Sequence, residues 1–312
     1  MKIESSYKVS DLYIHSASTI RRHSVTEFET IKYQKEDGFA TITLNRPKSL
    51  NALNVKMWSE LYQVLDIVDN DDDIRAYVFT GSPRPDGRPC FCAGADLKEM
   101  SGFTSGGVLE ESKEDTPANV TLSKPSGVKN FWGLRQPKPA MVPTFEKITW
   151  SPKISIAAID GVCTAGGTEL ALACDLTVVS ETAQISDMHV KNLGWIGGAG
   201  GSANMAWRVG VSKALELCLT GNIIDGKEAE RIGFANQVWP ADQYLEKAKE
   251  MARKIGSMRL AAVIMTKATI RAVQDMDRKS TLRYCDDGFM TLLAEQDTAD
   301  FGPGRWVEGK GK

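Results

Sequence analysis

Between residues 39 and 44 the chain alternates small or apolar side chains with threonine, Phe39-Ala-Thr-Ile-Thr-Leu44, a two-residue period that predicts a half-buried strand. The period then changes. Met57, Leu61, Val64, Leu65 and Val68 recur three and four apart, which puts them on one face of a helix. The apolar runs Ile74–Gly81, Ile154–Ile159 and Leu176–Ser180 each close on glycine or a polar turn and read as further strands. Strands interleaved with helices predict an α/β domain. From Asp242 onward only helical spacing is left, in Tyr244–Ile255, Leu260–Val273 and Thr281–Ala294. The chain is read as an N-terminal extension (1–25), a core (26–241) and a C-terminal helical region (242–312). A Gly-, Ser- and Pro-rich stretch, about 101–151, interrupts the core and reads as an insertion: a lid or a surface loop.

Composition narrows the function classes. With 312 residues, 42% hydrophobic and 25% charged, the chain can bury a large core. A net charge of -2 without a long basic run argues against nucleic acid as a partner and favours small-molecule chemistry. No window approaches the roughly 18 apolar residues of a membrane span. The first 26 residues mix Lys, Glu, Asp and Ser with no apolar core, unlike a secretory signal, and His15 and His23 there read as tail residues. The six cysteines have neither zinc-type spacing nor a secretory context, so reduced thiols and a cytoplasmic location are expected, with no metal.

Two glycine-containing turns carry the candidate chemistry. In Ile156-Ala-Ala-Ile-Asp-Gly-Val-Cys-Thr-Ala-Gly-Gly-Thr-Glu-Leu-Ala-Leu-Ala-Cys-Asp175 an apolar strand runs into Gly166 and Gly167, which open a helix bearing Glu169. Glycine admits a close ligand, and the helix start offers unpaired N–H groups in a mildly positive field. A carboxylate one turn on would stand beside an oxyanion held there; the alternative is a solvated first-turn acid. The second turn is Cys90-Phe-Cys-Ala-Gly-Ala-Asp-Leu-Lys-Glu-Met100. Two backbone donors from separate turns would then face one carbonyl.

These segments resemble the crotonase (enoyl-CoA hydratase/isomerase) superfamily, whose turns read A-G-A-D-[LI]-K-E-M and G-G-x-E-L-A followed by C-D. The likeness continues through Asn45–Leu53, Gly198–Gly201, Leu219–Gly221 and Glu228–Gly233, and so covers about residues 26–312, from which the start of the core is taken. It implies a spiral of repeated strand-strand-helix units with a C-terminal helical oligomerisation region, assembling as a homotrimer or a dimer of trimers. It also implies an acyl-CoA thioester as substrate, with coenzyme A carried on the substrate and no other cofactor. By the family's pattern the amides of Ala95 and Gly166 would bind the thioester oxygen and Glu169 would be a catalytic acid or base. Lys48 and Lys98 match nucleotide contacts, and Ala93, Asp96 and Gly167 fall among the substrate-binding positions.

One departure stands out. Hydratases carry a second glutamate in Q-P-E-[IV]-x-L-G, whereas this chain reads Ser186-Asp-Met-His-Val-Lys-Asn-Leu-Gly194, with His189 at the glutamate position and one residue inserted nearby. A histidine can take over the second proton transfer; equally, Asp187 or a backbone carbonyl can satisfy it in a structural role. Ile196–Gly201 lacks the aspartate some relatives use for isomerisation or dehalogenation, and Trp195 and Trp207 suit a pocket for a cyclic or aromatic-derived acyl group. The expectation is an enoyl-CoA hydratase. Its alternatives are a C–C hydrolase or isomerase of a cyclic β-keto- or dienoyl-CoA, and a non-catalytic acyl-CoA-binding paralogue. Gly198-Ala-Gly-Gly-Ser-Ala203 fits a dinucleotide-binding G-x-G-x-x-A but follows no apolar strand, and no G-x-S-x-G is present.

Overall fold

A computed structural model describes residues 27–104 and 141–294. The N-terminal extension, most of the expected insertion and the residues after 294 lie outside that range. Strands β1 (Ile31–Glu36) and β2 (Phe39–Leu44) form an antiparallel hairpin whose two-residue turn is Asp37-Gly38, with Gly38 at φ +76°. Helix α1 (Val55–Asp69) follows, its N-terminus capped by Asn54, whose side chain accepts the Met57 N–H at 3.0 Å.

Three strand-strand-helix coils come next. They are β3 (Ala76–Gly81), β4 (Cys90–Cys92) and α2 (Leu97–Thr104) with α3 (Met141–Trp150); β5 (Ile154–Ile159), β6 (Val162–Thr164) and α4 (Gly166–Ala173); and β7 (Leu176–Ser180) and β8 (Gln184–Ser186) with α5 (Gly201–Val209), α6 (Val211–Thr220) and α7 (Gly226–Arg231). The first strand of each coil joins a six-stranded sheet in the order β1-β2-β3-β5-β7-β9, parallel from β2 onward, where β9 is Gln237–Trp239. The second strands form a parallel three-stranded sheet, β4-β6-β8. The spiral implied by the resemblance is this arrangement.

The strand period decides which side chain meets which layer. Ala40, Ile42, Leu44, Tyr77, Phe79, Ala157 and Ile159 face the main core with α1, α3 and α4, while Phe39, Ala76, Val78, Ile156, Ala158 and Val178 face the other way. That second face is covered by α8 (Tyr244–Gly256), where Ala248 and Ala252 let the helix lie close to the sheet.

One result differs from the sequence reading, and one residue takes a role the sequence did not assign. Residues 141–150, the end of the expected insertion, form the core helix α3: Phe145 and Ile148 are buried, Phe145 meets Trp58 edge-on at 5.2 Å, and Lys147 reaches Asp66 of α1 at 2.6 Å. Pro143 in the first turn obscured the helix, although proline is tolerated there. Asp175, the end of the C-D pair, anchors α9 (Leu260–Ala272): its carboxylate accepts Lys267 Nζ at 2.7 Å, Arg271 Nη2 at 2.8 Å and the Ser155 N–H at 2.9 Å. A cavity of about 520 Å³ lies beside this cluster, against the start of β5 and β7 and away from the turns described next.

Candidate active site

Strands β4 and β6 pair in parallel, so the turns that leave them emerge at the same end of the small sheet. A Cβ built on Gly94 would stand 2.9 Å from Gly166 N, and one built on Gly166 would stand 3.2 Å from Ala95 N. The two predicted oxyanion donors therefore meet. Gly94, at φ +99°, makes the close approach possible. The loop before α1 grips this turn on either side of Ala95: the Leu53 N–H donates to Gly94 O at 2.8 Å and the Asp96 N–H to Leu53 O at 3.0 Å. Among the described residues, neither the Ala95 nor the Gly166 N–H has an acceptor, the latter because it opens α4.

Ala165, between β6 and α4, sits at φ 50°, ψ -118°, a region that costs a non-glycine residue on the order of 1–3 kcal/mol. Its N–H donates to Ser186 O at 3.2 Å and its carbonyl accepts the Glu169 N–H at 3.0 Å.

Glu169 is 1% exposed, which removes the reading as a solvated helix-start acid. Its Oε1 accepts the N–H groups of Ala199 at 2.9 Å and Gly201 at 3.1 Å, so the Gly198-Ala-Gly-Gly segment holds one carboxylate oxygen. Oε2 faces His189 Nε2 at 3.7 Å. Burial pushes the carboxyl above the usual glutamate range, and His189 with the two amides only partly offsets that.

His189 opens a π-helical turn, His189–Leu193, which accommodates the one-residue insertion seen in the sequence. Its ring is nearly buried, with Nδ1 2.7 Å from Asp187 Oδ1, and the same oxygen accepts the His189 N–H at 3.0 Å. Burial alone would lower the imidazole pKa; the bond to Asp187 and the charges of Glu169 and Asp187 outweigh it and raise the value above the ordinary histidine range. The structural contact expected as one alternative is present, and it leaves the second ring nitrogen open. Asp187 satisfies one ring nitrogen while the other faces the glutamate.

The remaining candidates divide. Lys48 and Lys98 are exposed, each two residues from one end of the Arg46–Asp96 ion pair (2.9 Å) that ties the loop before α1 to the turn carrying Ala95. Asp96, expected near substrate, accepts Arg46 and the Lys98 N–H and thereby holds the turn. Gly167 has a packing role, since a Cβ there would stand 2.2 Å from Cys92 O. Ala93 is half-buried and donates its N–H to Leu50 O at 3.0 Å. Trp195 is exposed in the loop after the π turn, and Trp207 is exposed on α5.

Sequence reasoning missed Gly197, whose Cβ would fall 2.6 Å from Glu169 Oε1 and 3.2 Å from His189 Cε1. It also missed the amides of Ala199 and Gly201. The glycine run was the available signal, but only the fold shows which carboxylate it wraps.

The sequence profile described as Enoyl-CoA hydratase/isomerase matches residues 34–122 and 134–312. A probable enoyl-CoA hydratase of Rhizobium meliloti is 34% identical over 272 residues, covering 86% of this chain and 92% of that protein. A short-chain-enoyl-CoA hydratase of Clostridium acetobutylicum is 30% identical over 274 residues, covering 88% and 93%. Among solved structures, enoyl-CoA hydratase from Bacillus anthracis superposes with a TM-score of 0.76 at 29% identity, covering 90% of this chain and 97% of the other.

Proposed function

Because this chain belongs to the enoyl-CoA hydratase/isomerase family and is a hydro-lyase of the hydratase type, we propose that Glu169 and His189 make the two proton transfers of hydration. The thioester oxygen of a 2,3-enoyl-CoA is held by the N–H groups of Ala95 and Gly166. Glu169, as carboxylate, takes a proton from water while the water oxygen bonds to the β-carbon. The electron pair of the double bond moves through the α-carbon to the thioester oxygen, where the two amides stabilise it. His189, as imidazolium, returns a proton to the α-carbon. The 3.7 Å between Glu169 Oε2 and His189 Nε2 is longer than a hydrogen bond, which leaves both groups available to one reacting molecule.

The observation that carries this reading is the meeting of the two free amides one helical turn from a buried carboxylate. Each such donor is worth on the order of 10²- to 10³-fold in rate, and a placed acid or base about 10²- to 10⁴-fold. The reaction needs no cofactor beyond the coenzyme A of its substrate, and Lys48 and Lys98 serve as its phosphate contacts. The test is Glu169→Gln in heavy-oxygen water with crotonyl-CoA and a cyclic enoyl-CoA. Wild type incorporates one labelled oxygen at the β-carbon, and the variant loses about 10²- to 10⁴-fold in kcat while still binding acyl-CoA. Near-full turnover in the variant would defeat the assignment.

For the assembly we propose a homotrimer, or a dimer of trimers. Val211, Leu215 and Leu219 recur every four residues along α6, and with Trp207 on α5 and Ile223 after α6 each is 55–67% exposed, apolar surface of the kind that marks a protein interface. No helix among the described residues is long and apolar enough to cross a membrane. Five buried free thiols suit a reducing compartment, and we place the enzyme in the cytoplasm.

A further inference from the structure

Asp187 lies two residues before His189, 3% exposed, where β8 runs into the π turn. Its Oδ1 receives two bonds from one residue, the His189 main-chain N–H at 3.0 Å and the ring Nδ1 at 2.7 Å. An ionised carboxylate only accepts, so Nδ1 carries the proton and Nε2 is left to face Glu169 Oε2. Bonding through both backbone and ring removes the freedom of the imidazole to turn away. We propose that Asp187 is a positioning residue for the hydration: it fixes the tautomer and direction of His189 and stabilises the imidazolium that protonates the α-carbon.

The inference rests on the reading of His189 as the proton donor. It adds a third member to the site, and one with a distinct purpose. A second glutamate can serve as an acid only while it holds its own proton. A histidine held between two carboxylates is an acid that stays charged to higher pH. The groups that face its ring are Glu169 from α4 and Asp187 from its own segment; from α6, Cys218 bonds Asp187, while Lys213 and Glu216 pair with each other at the surface at 2.7 Å. Lys191, in the π turn, lies against the backbone at Gly221. Burial opposes the charge on Asp187, but the two His189 bonds prevail and hold its carboxyl below the ordinary aspartate range. It therefore stays ionised while His189 titrates.

The chain has three histidines, His15, His23 and His189, which makes nitrogen-15 histidine spectra readable. The signal missing from His189→Gln identifies the residue. In wild type, neutral His189 should carry its proton on Nδ1 and titrate above the ordinary histidine range. Asp187→Asn should lower that titration, move the alkaline limb of kcat to lower pH, and reduce kcat by up to about 10⁴-fold, the loss known when a buried aspartate no longer sets the tautomer of a catalytic histidine. KM should change little, and Asp187→Glu should recover part of the loss. The spectra need no turnover, and far-ultraviolet circular dichroism checks the fold. An unchanged titration and tautomer of His189 in Asp187→Asn would overturn the proposal. Full turnover in His189→Gln would instead sink the reading beneath it, whatever the spectra show.

Discussion

Gly94 and Gly166 do their work by what they lack. A methyl group on Gly94 would meet the Gly166 amide at 2.9 Å and would also have to adopt φ +99°, so Gly94→Ala strains the turn and crowds the oxyanion position together. We expect the variant to lose stability and, in the fraction that folds, to lose about 10²- to 10³-fold in kcat, the cost of one donor. Turnover assays alongside thermal melts separate the two effects. Gly167, its neighbour in sequence, is required for another reason: a Cβ there would run into the Cys92 carbonyl, so alanine at 167 should cost folding more than catalysis. Adjacent glycines thus share a letter and differ in purpose.

Helix α1 and strand β1 are tied by one buried carboxylate. Glu60, 4% exposed, accepts the N–H of Glu29 at 2.9 Å, the N–H of Thr30 at 2.8 Å and the Thr30 hydroxyl, which satisfies the backbone where the chain enters the sheet. Burial alone would raise its pKa; the Thr30 hydroxyl, the two amides and Lys56 together bring it below the ordinary glutamate range. A carboxyl lowered on folding adds stability that is fully present above its unfolded pKa, about 4.3, and is lost as pH falls through the folded value. Glu60→Gln should therefore cost roughly 1–3 kcal/mol near neutrality and progressively less on acidification, when denaturant melts of both proteins are compared at stepped pH. A difference that did not shrink in acid would place the contribution in packing rather than charge.

Across the whole molecule, the exposed face of α6 with Trp207 and Ile223, and the apolar residues of α10 (Arg278–Ala294), among them Leu282, Phe289, Met290 and Leu293, leave much hydrophobic surface on a single chain. Burying it between copies is the physical reason to expect assembly. Changing Leu215 and Leu219 together to Glu should reduce the mass measured by light scattering toward that of one chain and lower the melting temperature. An unaltered mass would show that the α6 face lies outside the interface.

What was legible in the sequence was local. Strand and helix periods follow from which side chains must leave water, so β2, β3, β5, β7, α1, α4 and α8 could be read directly, as could the two glycine turns and Glu169. The meeting of Ala95 with Gly166 depends on parallel pairing of β4 with β6, a contact spanning about seventy residues that no local period encodes. The same is true of Glu169, caught by amides thirty residues away, and of Asp175, turned from a motif letter into the anchor of α9. His189 shows the division most plainly. Its residue type announced a proton carrier near neutrality, but only the π turn and the neighbouring carboxylates decide which nitrogen bears the proton and where it points.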